Sequence, residues 1–69
     1  MKNALLVFDL PRELHVQRKK INRELHSMGA KMIQHSVWSS EDFYALIEVA
    51  SFIKKVGGKA SILEEKIIF

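Results

Sequence analysis

The sequence predicts a small α/β fold in which two amphipathic helices cover one face of a β-sheet. Three observations predict it. Short apolar runs alternate with two long stretches of helical periodicity, a glycine follows each of those stretches, and 69 residues leave room for one domain only. Strand-helix-strand units cross over right-handed, which places both helices on the same side of the sheet.

Ala4-Leu5-Leu6-Val7-Phe8 is an apolar run closed by Asp9-Leu10-Pro11. Its length and its β-branched and aromatic content predict a strand buried on both faces, hence central in the sheet. Pro11 ends it and suits the first helical turn, where no backbone donor is needed. From Arg12 to Met28, Leu14, Ile21, Leu25 and Met28 keep one face of a helix. Gly29 supplies its stop, because glycine takes positive φ without a Cβ clash.

Lys31 to Ser39 reads as one strand. Ile33, His35 and Val37 point one way, and Met32, Gln34, Ser36 and Trp38 the other. Both sets mix polar with apolar residues, so parity leaves open which faces the helices. The Met32/Trp38 set, which carries Gln34 and Ser36, suits a dimer surface better than a core.

Ser39 and Ser40 before Glu41-Asp42 read as a serine N-cap followed by acids in the first turn. Phe43, Leu46, Ile47, Ala50, Ile53 and Val56 then repeat at helical spacing. Lys54 and Lys55 suit the negative end of the helix dipole, and Gly57-Gly58 close it. The spacing predicts a helix from about 41 to 56. A competing reading makes Phe43–Val49 a strand, hairpinned to Lys31–Ser39 and completing a four-stranded sheet in the order β-α-β-(β)-α-β. Cap chemistry favours the helix. Ala60 to Phe69 is the last strand, with charged Glu64-Glu65-Lys66 as a turn, a bulge or a guarded edge, and an apolar end expected to be docked.

A chain this short buries only about 60% of its unfolded surface. Small domains compensate with disulfides, a metal or oligomerisation. With no cysteine, disulfides and thiolate sites are excluded, and the three histidines (His15, His26, His35) lack ligand spacing. The expectation is a homodimer. The first apolar run is too short for a signal peptide, and no stretch approaches the roughly 18 apolar residues of a membrane span. A cytoplasmic protein without a membrane partner follows as the expectation. Eleven basic against eight acidic side chains make a modest positive balance, so the placement of charge matters more than its sum.

Arg12, Arg18, Lys19, Lys20 and Arg23 form a basic stripe on the exposed side of the first helix. Such a stripe tracks phosphates without reading bases, or else is a solvated face partnered by Glu13 and Glu24. Asp9 ends the first strand. Two copies brought together on a dimer axis would form a hard oxygen site of the kind magnesium prefers, whereas a lone Asp9 serves as a turn or cap before Pro11. His35 reads as a packed strand histidine. Trp38, Phe8 and Tyr44 are too sparse to read as a base-stacking platform rather than core or interface. No phosphate loop, nucleophile elbow or zincin motif occurs, which argues against an ordinary small-molecule enzyme.

Taken together, Val7-Phe8-Asp9-Leu10-Pro11, then Arg18-Lys19-Lys20, Leu25-His26-Ser27-Met28-Gly29-Ala30 and Ile33-Gln34-His35-Ser36-Val37-Trp38, are similar to the CRISPR-associated Cas-two family. The likeness covers about residues 4–40. Trp38 in place of the usual phenylalanine also resembles the related domain of PaaX-type transcriptional repressors. The resemblance implies a ferredoxin-like homodimer that binds nucleic acid. Asp9 would be its metal-binding catalytic acid, Mg2+ the cofactor, Arg18 and Lys19 backbone contacts, and Ser36 and Trp38 neighbours of the dimer cleft. Two functional expectations follow: a Cas-two-like nucleic-acid-binding dimer with or without metal-dependent nuclease activity, and a non-catalytic protein-interaction or transcription-regulatory module on the same scaffold.

Overall fold

A computed structural model describes residues 3–64 of the chain. Its elements are β1 (Ala4–Asp9), α1 (His15–Ser27), β2 (Lys31–Gln34), β3 (Val37–Ser40), α2 (Phe43–Lys55) and β4 (Lys59–Glu64). The strands form one antiparallel sheet in the order β2-β3-β1-β4, and both helices pack on one face of it. This is the α+β arrangement of a ferredoxin-like sandwich. Among the described residues no helix is long and apolar enough to cross a membrane.

The apolar run Ala4–Phe8 becomes the central strand, as its composition predicts. Alternation along it sorts the whole sheet into two faces. Leu6 pairs with Trp38 and Ile62, and Phe8 with Ala60, on the helix side. Leu5 pairs with Ser39 and Leu63, Val7 with Val37 and Ser61, and Asp9 with Lys59, on the outer side. Leu6 and Phe8 are buried; Leu5 and Val7 are half-buried, since among the described residues no layer covers the outer side. The core is completed by Ile21 and Leu25 from α1, Trp38 from β3, and Leu46, Val49, Ala50 and Ile53 from α2.

Each helix ends as its glycine predicts. Ala30 N–H donates to Leu25 O and Gly29 N–H to His26 O, both at 3.0 Å; Gly58 N–H donates to Ile53 O at 2.8 Å and Gly57 N–H to Lys54 O at 3.2 Å. These are paired Schellman closures, with Gly29 and Gly57 at positive φ of 78° and 104°. Gly58 does more than stop a helix. A Cβ there would stand 2.8 Å from Asp9 O, Ile53 Cγ2 and Leu10 Cδ2, so its bare backbone lets the α2 exit lie against the end of β1.

Five expectations are corrected. Lys31–Ser39 is not one strand: it folds at His35-Ser36 into the β2/β3 hairpin, and Phe8 N–H donates to Ser36 O at 3.0 Å. The split supplies the fourth strand, while Phe43–Val49 stays helical. It also explains the mixed parity, because a register shift between Met32 and Gln34 interrupts the alternation. Trp38 consequently faces the helices at 1% exposure, opposite Leu6, rather than an outer surface. His35 is exposed in the turn, not packed in a strand. Helix α1 starts at His15, after a turn in which Leu14 N–H donates to Pro11 O, so Pro11 lies outside the helix. The cap of α2 is Asp42, whose Oδ1 accepts from Ala45 N–H at 3.0 Å; Ser40 Oγ accepts from Asp42 N–H one step earlier. The expected docking of the apolar residues 67–69, and the charged segment's last two residues, lie outside the described residues.

Candidate nucleic-acid interface

Helix α1 buries Ile21 and Leu25, with Leu14 and Met28 packed at the ends of the same face. That anchoring turns Lys19, Lys20 and Arg23 outward to solvent, since they lie on the other side of a 3.6-residue turn. Arg12 is exposed in the turn that leads into α1, and Arg18 is half-buried on the helix flank. Of the predicted stripe, Lys19 and Arg23 share the outward face of α1, Arg12 is exposed in the turn before it, and Arg18 and Lys20 turn to the two flanks. Glu13 and Glu24 are exposed as well, yet among the described residues neither holds any of these cations in an ion pair. The stripe is solvated, and no fixed ion pair to Glu13 or Glu24 holds it among the described residues.

The ammonium of Lys20 sits 4.8 Å from the centre of the Phe52 ring on α2, a cation–π contact that ties the two helices together. The helices run antiparallel in this topology, and Met28 meets Ala45 and Val49 at their other end. Lys55, one turn beyond Phe52 and exposed, thus lies beside the start of α1 and extends the basic surface. Sequence reading gave Lys55 only a role at the helix dipole. The signal that assigns it to this surface is the pairing of two helix faces, which is not local.

Asp9 is brought to a different place. It is exposed at the end of β1 on the outer side of the sheet, opposite Lys59, while the basic surface faces away from the sheet on the helix side. The sandwich separates Asp9 from Lys19 and Arg23, whereas Arg12 follows it by three residues. Asp9 makes neither the turn nor the cap contact expected of it among the described residues. No group of three or more metal-ligating side chains occurs among the described residues, and a single carboxylate across from an ammonium does not fit a divalent cation. One chain therefore offers Mg2+ no cage at Asp9.

Ser36 is half-buried in the hairpin turn, and it alone of the two cleft residues offers surface. The indole of Trp38 is enclosed: the ring of His26 on α1 meets it edge-on at 5.1 Å and 89°, and its Nε1–H has no hydrogen-bond partner among the described residues. Phe8 is buried too, so neither ring is available to stack on a base. Tyr44 is exposed, against Phe43 at 5.7 Å, but at the opposite end of α2 from Lys55. The surface is thus cationic without a stacking platform.

Neither a protein-family model nor a curated protein matches the chain.

Proposed function

We propose that this chain is a homodimeric domain that binds the phosphate backbone of nucleic acid through the outward face of α1. The observation that carries the reading is the cluster Arg12, Lys19, Arg23 and Lys55, exposed together and free of acid partners among the described residues. Surface cations that are not neutralised in the chain release counterions when phosphates replace them, and this drives backbone binding. The likeness to the Cas-two family points toward the same class of partner. Self-association is supported by the outer side of the sheet, where Leu5, Val7, Val37 and Leu63 have no layer above them among the described residues.

Cleavage has less behind it. A nuclease built on Asp9 requires a second chain to bring its own acid alongside, and phosphates held on α1 lie on the other side of the sandwich. Binding without cleavage is the reading the geometry supports best.

The test is a mobility-shift titration of a labelled duplex of arbitrary sequence. Lys19→Ala/Arg23→Ala is expected to weaken binding strongly, whereas Lys31→Ala, on the edge strand β2 away from the helix layer, is expected to leave it unchanged. Equal binding by all three proteins would overturn the proposal.

A further inference from the structure

We infer that His15 and His26 extend the basic face of α1 when protonated, so that the domain holds a nucleic-acid backbone more tightly below about pH 6.5 and takes up protons as it binds. The inference rests on the function proposed above and deepens it by naming its regulation.

Side chains three or four residues apart are neighbours on a helix surface. His15 stands four residues before Lys19, Lys19 four before Arg23, and Arg23 three before His26, so the four form one ridge along α1. The ridge runs nearly the whole helix, about 16 Å at a rise of about 1.5 Å per residue. All four residues are exposed, and among the described residues neither imidazole holds a hydrogen bond or an ion pair. One small anion cannot bridge the two histidines over that length, but a polyanion lies along all of it.

His26 is held in position. Its ring meets the buried indole of Trp38 at 5.1 Å between centroids and 89° between planes. It sits in the last turn of α1, the negative end of the helix dipole, where a cation is favoured. Against it β3 places Trp38 and β2 its helix-side Met32, both uncharged. Glu24, and Glu48 of α2, line the other flank of α1 with Ser27, while Lys31, Glu41 and Asp42 gather beyond Met28 and Gly29. Around His15 are Arg12 and Glu13 in the preceding turn and Arg18 on α1, with Lys55 of α2 and His35 of the β2/β3 turn at the same end of the fold. No carboxylate stands on the ridge itself. It carries two charges when the imidazoles are neutral and four when both are protonated.

A phosphate beside an imidazole favours its protonated form, and the coupling is reciprocal: protonation strengthens binding as much as binding strengthens protonation. Each further cation that meets a phosphate adds about −0.9 to the slope of log K against log salt, about 8-fold in affinity at 0.1 M salt. Two such contacts give at most about 60-fold, and about tenfold is the expected minimum.

The experiment is anisotropy of a labelled duplex titrated with the full chain at about pH 7.5 and 5.5, at a fixed salt concentration of about 0.1 M. Wild-type affinity is expected to rise about tenfold or more at the lower pH, and that of His15→Gln/His26→Gln by less than about threefold. Trp38 is the only tryptophan of the chain, so its emission reports on the ring beside it. Its intensity is expected to fall over the same pH range, as a protonated imidazole quenches an indole, with the emission maximum unmoved because the fold is intact; the fall is absent in His26→Gln. His15→Gln alone, which leaves the Trp38 contact in place, is expected to cut the gain about threefold. Wild-type affinity indifferent to pH, or a double variant that follows the wild-type profile, overturns the inference and leaves the proposed function standing. No binding at either pH overturns both.

Discussion

The salt dependence of nucleic-acid binding is the sharpest consequence of the α1 surface. Four exposed cations, Arg12, Lys19, Arg23 and Lys55, belong to the two helices and the turn before α1, with Arg18 half-buried and Lys20 engaged by the Phe52 ring. Each phosphate neutralised on a duplex adds about −0.9 to the slope of log K against log salt, so four give about −3.6 per subunit in contact. Raising salt from 50 to 200 mM then weakens binding about 150-fold. Lys19→Ala/Arg23→Ala removes two of the four contacts, halves the slope to about −1.8 and shrinks the loss to about 12-fold. Fluorescence anisotropy of a labelled duplex, titrated at five or six salt concentrations, measures both slopes. Shuffling the duplex sequence is expected to change neither, because contacts to phosphates carry no sequence information. A wild-type slope shallower than −1, or the same slope in the double variant, refutes the argument that these side chains meet phosphates.

Other consequences concern the scaffold. Gly58→Ala places a Cβ 2.8 Å from Asp9 O, Ile53 Cγ2 and Leu10 Cδ2, an overpacking expected to cost about 1–3 kcal/mol in urea unfolding; an unchanged midpoint would show that the contact is not tight. Leu25 is fully buried, so Leu25→Ala should cost about 2–5 kcal/mol. Against a total of about 0.05–0.15 kcal/mol per residue, this leaves a largely unfolded chain by circular dichroism. Asp42→Ala removes the acceptor of Ala45 N–H and should lower stability by about 0.5–2 kcal/mol, while Ser40→Ala, one step before the cap, should cost less. If Mg2+-dependent cleavage accompanies binding, Asp9→Asn should abolish it without altering affinity on α1, because the two lie on opposite sides of the sandwich; cleavage that persists in the variant assigns it to other residues.

What was legible in the sequence follows from how far each signal reaches along the chain. The apolar run Ala4–Phe8, the helical faces through Leu25 and Ile53, and the closures at Gly29 and Gly57 depend on neighbours within a few residues, so composition and period sufficed for them. The exposure of Lys19 and Arg23 was legible for the same reason, since burial of Ile21 and Leu25 dictates where they point. The cap was assigned to serine, ahead of Asp42, because Ser40 and Asp42 both satisfy the local pattern. Only the actual backbone path decides which oxygen meets Ala45 N–H.

The rest was decided by contacts between distant segments. Whether Lys31–Ser39 runs straight or folds at His35-Ser36 depends on β1, which needs a neighbour on the side away from β4 and accepts it as β3. That folding turns Trp38 inward against Leu6 and His26, a direction its own alternating neighbours did not specify. Lys55 joins the basic surface only because α2 lies antiparallel to α1. Asp9 is parted from that surface because strand parity sends it to the outer side of the sheet. Local periodicity, in short, determined which residues are buried within each element, whereas sheet register and helix pairing, which join residues far apart in the chain, decided which of the exposed ones share a face.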